Sequence, residues 1–190
     1  MSEDGFHVHG PHDHALEHEA EHGGGMAGQL AVITAVLATF GALFSYMGGA
    51  TQAQAGMDKN EAAIKKTEAS NQWNFYQAKS SKQALSELAI EVVPAERRAA
   101  YQKEVERYKT EKAKIQEEAS KLEAESKEWD AKSEAQIHQH HRWAQATTAL
   151  QVAIAMAAIA LLTKRRWLEW GTVGLGAVGV GLGALAWLHP

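Results

Sequence analysis

Cysteine is absent from the 190 residues, which excludes disulfides, thiolate metal sites and cysteine-based redox chemistry. Proline occurs only three times, at Pro11, Pro94 and Pro190, so long stretches contain nothing that breaks a helix. There is no Lys/Arg block of the kind that tracks nucleic-acid phosphates, and the net charge is a mild −4, so no nucleic-acid partner is expected. A nucleophile elbow and a phosphate-cradling glycine loop are missing too. The string GLGAVG at residues 174–179 fits GxGxxG only formally, because it lies inside an apolar run and follows no strand. No Lys or Arg precedes the first apolar run, which is also longer than a signal peptide's apolar core. We therefore expect a retained anchor there.

Long hydrophobic runs are what the chain does have. MAGQLAVITAVLATFGALFSYMGG, WAQATTALQVAIAMAAIALL and LEWGTVGLGAVGVGLGALAWL carry a single charge between them, Glu169. Each is about 20 residues, the length that crosses ~30 Å of hydrocarbon as a helix. The lipid bilayer is thus the first expected partner. The region between the first two runs is as polar as the runs are apolar. No ionisable side chain falls at mid-span, which argues against a proton or ion pathway within one copy.

The polar region reads as helix from Asp58 onward, after a Gly/Ala/Gln connector. Ile64, Glu68, Asn71, Phe75, Ala78, Lys82, Leu85, Ala89 and Val92 alternate in steps of three and four, the spacing of a heptad seam. Pro94 ends that helix and suits the first turn of another. A second seam follows at Tyr101, Tyr108, Ile115, Leu122 and Trp129, with Val105, Lys112, Ala119 and Ser126 between them. No breaker lies between Ala95 and Leu162, so the returning helix is expected to continue into the second span. The predicted fold is an all-α membrane protein: three transmembrane helices with a long antiparallel helical (coiled-coil) hairpin between spans 1 and 2. The boundaries are a His-rich tail at 1–25, span 1 at 26–49, the hairpin at 50–142 turning near Pro94, span 2 at 143–163 and span 3 at 167–188.

The short basic loop Lys164, Arg165, Arg166 points to the cytoplasmic side. The N-terminus is then expected in the cytoplasm and the hairpin in the periplasm. Tyr46, Trp143 and Trp187 would mark the outer interface, and Trp167 and Trp170 the inner one.

NQWNFYQAKSSKQ at residues 71–83 and ALLTKRRWL at 160–168, followed by a glycine-rich span, resemble a bacterial membrane-protein family catalogued only as a domain of unknown function. The resemblance covers roughly residues 26–188. It implies three spans with a helical insert, and no activity. Members often carry basic residues before the first span, where this chain has histidines.

Candidate sites follow from the same pattern. Polar and small residues occupy seam positions that a self-sufficient hairpin fills with Leu or Ile, so burial along the seam is meagre. Self-association would supply the missing burial, and a homo-oligomer is expected. Phe75 lies on the predicted seam and is counted with the residues expected to contact an oligomer or partner. Trp73 and Tyr76, three apart, are assigned to the opposite side, where with Lys79 and Lys82 they would meet another copy or an unidentified protein partner. The plainer alternative lays those two rings across the returning helix or on the membrane surface. In span 3, Gly176, Gly179 and Gly183 form one small-residue stripe and Gly174, Ala177 and Gly181 another, suited to close packing inside a protomer or between protomers.

The tail offers His7, His9, His12, His14, His18 and His22, and imidazoles at such spacing bind Zn, Cu or Ni weakly. A fixed site needs rigid geometry that a solvated tail lacks, so no resident cofactor is expected. HEAEH at residues 18–22 matches a zinc-protease string, but nothing apolar would dock such a helix. His138, His140, His141 and Arg142 flank the second span as interfacial polar residues. The leading expectation is a non-enzymatic, self-associating membrane scaffold in the bacterial inner membrane. The alternatives are a metal-handling membrane protein using the tail, and an oligomeric channel.

Overall fold

The computed structural model describes residues 25–188, all helical apart from short turns. There are three helices: α1 (Met26–Val92), α2 (Ala95–Thr163) and α3 (Arg166–Leu188). Each contains a segment long and apolar enough to cross a membrane. The chain turns at Pro94, which lacks the N–H to continue α1 and whose ring disfavours the helical conformation at Val93. α2 is unbroken, as the lack of helix breakers requires. The expected connector after residue 49 does not exist: α1 runs straight through it. Ala50, Ala53 and Ala55 are strong helix formers, and the glycines there each cost only about 1 kcal/mol against Ala, too little to end a helix without proline.

Two compact units result, one made of the described residues up to Thr51 and from His138 onward, the other of Gln52–Ile137. In the first, α3 packs with parts of α1 and α2 around Leu37, Phe44, Trp143, Ala146, Leu150, Ala153 and Ala186. A second cluster gathers Leu30, Ala157, Ala160 and Leu168. Trp143, Leu150 and Thr172 are fully buried. The Trp143 ring lies 5.4 Å from Phe44 and 6.5 Å from Trp187. Trp143 is thus a core side chain, which corrects its assignment as an interfacial anchor. Tyr46, Trp167, Trp170 and Trp187 do remain exposed. The tight turn into α3 is closed by Lys164 in the left-handed region, φ 52°, and Leu168 N–H bonds to Arg165 O at 3.1 Å.

The glycines of α3 are what let this unit close. A Cβ on Gly183 would overlap the Phe44 ring, and one on Gly179 would stand 2.9 Å from Leu150 Cγ and 3.2 Å from its backbone nitrogen. An added methyl at either position therefore forces the Phe44 ring or the Leu150 side chain and its helix to shift. Gly174 and Gly181 face open space. In detergent, Gly183→Ala should therefore destabilise the unit by about 1–3 kcal/mol through overpacking, while Gly174→Ala, which meets nothing, should stabilise it by up to ~1 kcal/mol through helix propensity. Denaturant titration followed by circular dichroism checks the pair.

Candidate contact surface on the helical arms

In the second unit α1 and α2 run antiparallel, and two serine hydroxyls fix their register. Ser133 Oγ donates to Ala55 O at 2.9 Å, and Ser126 Oγ donates to Ala62 O at 2.8 Å, both buried. Reaching a backbone carbonyl of the facing helix with so short a side chain demands close axes, near the lower end of the usual ~8–10 Å. Ala55, Ala62 and Ala69 permit that approach, each nearly sealed from solvent. One heptad before Ser126, Ala119 is wholly buried.

The seam on α2 is the one its heptads predict: Val105, Tyr108, Ala119, Leu122 and Ser126 are buried, with Tyr101, Lys112, Ile115 and Trp129 half-buried. The seam on α1 is not. Its shielded positions are Ala55, Asp58, Ala62, Lys65, Ala69, Gln72, Tyr76, Lys79, Gln83, Ser86 and Ile90. That line is the predicted one advanced by a single residue, a rotation of about 100°. The physical reason is volume. Near Leu122 and Trp129 the bulk comes from α2 and the facing side of α1 is alanine, at Ala55, Ala62 and Ala69; toward Pro94 the facing positions hold Tyr76, Lys79, Gln83 and Ile90. Asp58 sits in this seam with its Oδ1 accepting from Gln54 Nε2 at 2.8 Å.

The rotation redistributes the candidate residues. Trp73 and Tyr76 stand against α2 rather than away from it. Trp73 Nε1 donates to Glu123 at 2.9 Å, and the two rings meet edge to face at 5.6 Å. Lys112 Nζ sits 5.2 Å from the Tyr76 ring centre. Lys79 pairs with Glu111 at 2.6 Å and lies 5.5 Å from the Tyr108 ring centre. Phe75, assigned to the seam, is instead 59% exposed, and Lys82 is exposed as well. The plainer alternative for Trp73 and Tyr76, contact with the returning helix, is therefore the geometry observed. Gly176, Gly179 and Gly183 lie buried against Leu37, Leu150 and Phe44 of the same chain, so that stripe is occupied within the protomer. The six tail histidines fall outside the described residues. Among the described residues no cluster of three or more His, Asp or Glu is arranged to hold a metal. His140 Nδ1 is 2.8 Å from Gly48 O, tying α2 to α1.

The outer surface left on α1 is large and apolar. Ile64, Phe75, Leu85, Leu88 and Val92 are all exposed, Leu85, Leu88 and Val92 by 61–75%. No charge occurs from residue 69 to 78, and only Lys82, Glu87 and Glu91 are charged from 80 to 93. On α2 about half of residues 96–134 are charged, as expected of a water-facing helix. Leu88 is legible from this contrast between the arms, although heptad counting on one arm passes over it.

Ion pairs lock the arms laterally. Lys59 pairs with Asp130 and is held above its ordinary pKa of 10.5 by that hydrogen bond. Lys65 bridges Glu68 and Glu125 and is raised likewise. The hydrogen bond from Lys79 holds the Glu111 carboxyl below its ordinary 4.5, against the opposing effect of burial. A lowered carboxyl stabilises the fold above its unfolded pKa and loses that contribution as pH falls through the lower folded value. Raised lysines stabilise below 10.5 and fade as pH rises past their folded values. Helicity of the whole protein in micelles should thus fall as pH drops below 4.5, and Glu111→Gln should flatten that acid limb. An acid limb identical in both proteins would contradict the assignment.

Residues 26–189 match the domain of unknown function DUF4337. No curated protein and no solved structure matches the chain. With all but the first 25 residues and the last one inside the match, the chain belongs to the DUF4337 family.

Proposed function

We propose that the protein is a non-enzymatic integral membrane scaffold of the bacterial inner membrane. It is anchored by three spans and self-associates through its helical insert and the open face of its glycine-rich span. The N-terminus lies in the cytoplasm and the insert in the periplasm, the orientation favoured by the Lys164–Arg165–Arg166 turn. The observation that carries the reading is the inversion of the insert's hydrophobicity. The α1 side of its seam is filled largely with Ala, Ser and Gln, while Phe75, Leu85, Leu88 and Val92 face outward. Exposed apolar side chains of this size stabilise nothing in an isolated copy. Each Val- or Leu-sized side chain contributes roughly 1.5–3 kcal/mol only when covered.

Span 3 adds a second surface. With Gly176, Gly179 and Gly183 used internally, Gly174, Ala177 and Gly181 remain open and suit close backbone packing in lipid. The mass of the particle extracted in native lipid should correspond to more than one chain. A particle of one chain would contradict self-association.

A further inference from the structure

We propose that the outward stripe of α1, centred on Phe75, Leu85 and Leu88, is the contact surface between copies, and that its occupant is the same stripe of a second copy. This rests on the scaffold reading and makes it specific. Charge decides the kind of occupant. An acidic or basic partner has little to pair with here, since from Ala69 to Val92 only Lys79, Lys82, Glu87 and Glu91 are charged. Lys79 is spent on Glu111 across the seam. Lys82, seven residues after Phe75, is exposed, and its stem adds apolar surface while its ammonium stays in water. What complements a broad, charge-poor, apolar helix face is another such face. Among the described residues of this unit, α1 alone presents one.

Area decides where the occupant comes from. From Ile64 to Val92 the stripe is about 40 Å long at 1.5 Å per residue, and a helix is ~10 Å wide. The footprint is roughly 400 Å² a side, below the ~800 Å² of a standard stable interface. A freely diffusing protein would bind it poorly. Copies confined to one membrane are already concentrated and co-oriented, which supplies the difference as effective concentration. In that pair the two α1 arms lie parallel, so that Phe75 meets Phe75 and Leu85 meets Leu85.

The absence of cysteine provides a clean test. Single variants Phe75→Cys, Leu85→Cys and, on the outer face of α2, Lys114→Cys are oxidised in native membranes. The first two should form a disulfide-linked dimer several-fold more efficiently than the third. Adding Leu88→Glu to Phe75→Cys should cut that yield several-fold while helicity is kept, since Leu88 is exposed. If the particle holds several copies but Phe75→Cys and Leu85→Cys give no more dimer than Lys114→Cys, this surface is wrong and self-association stands. A single-copy particle overturns both, and disulfide capture of a different protein overturns the choice of occupant.

Discussion

Close approach of two backbones governs the helical arms. Ser126 and Ser133 reach Ala62 O and Ala55 O across the seam, where Ala55 and Ala62 are nearly sealed from solvent. Once the small residues of α1 are committed to the seam, helix geometry assigns the remaining faces. A rotation of about 100° per residue carries Phe75, Leu85 and Val92 outward and Trp73 and Tyr76 to the flank of α2. The lateral ion pairs Lys59–Asp130, Lys65–Glu125 and Lys79–Glu111 then fall along the seam margins. Exposed pairs of this kind contribute little individually, because solvent screens them. They select the register more than they stabilise it.

The unit containing α3 solves a related problem with glycine. Phe44, Leu37 and Leu150 press into places where Gly183, Gly176 and Gly179 have no Cβ. Where lipid surrounds helices, no hydrophobic drive separates the inside from the outside, and fit alone decides contact. A stripe of small residues therefore marks closeness without saying to which partner. Here three of the glycines are taken by the protomer's own helices and the neighbouring stripe is left free.

Much of this architecture is legible in the sequence. The three apolar runs, the turn at Pro94, the unbroken α2 and its seam from Tyr101 to Trp129 all follow from breakers and heptads. The α1 seam does not, because heptad counting ranks positions by apolarity. It selects Ile64, Phe75, Leu85 and Val92, whereas the fold buries or half-buries Ala62, Ala69, Gln83 and Ser86. The rule assumes that each helix contributes equal bulk. Near Leu122 and Trp129 the large side chains come from α2 and α1 supplies alanines, whereas toward Pro94 α1 supplies Tyr76 and Ile90. The expected connector after residue 49 fails for a different reason: glycine weakens a helix, but only proline among these residues forbids it. Trp143 misleads because a Trp beside a span reads as an interfacial anchor, while its contacts with Phe44 and Trp187 place it in the core.

The phase of the α1 arm is the point on which the account turns, and a cysteine-accessibility scan over residues 69–86 reads it directly. Maleimide labelling of single-cysteine variants in dispersing detergent should be slow at Ala69, Gln72, Tyr76, Gln83 and Ser86, and fast at Asn71, Phe75, Ala78, Lys82 and Leu85. The opposite phase, with Phe75 and Leu85 protected and Ala69 and Ser86 open, would contradict it.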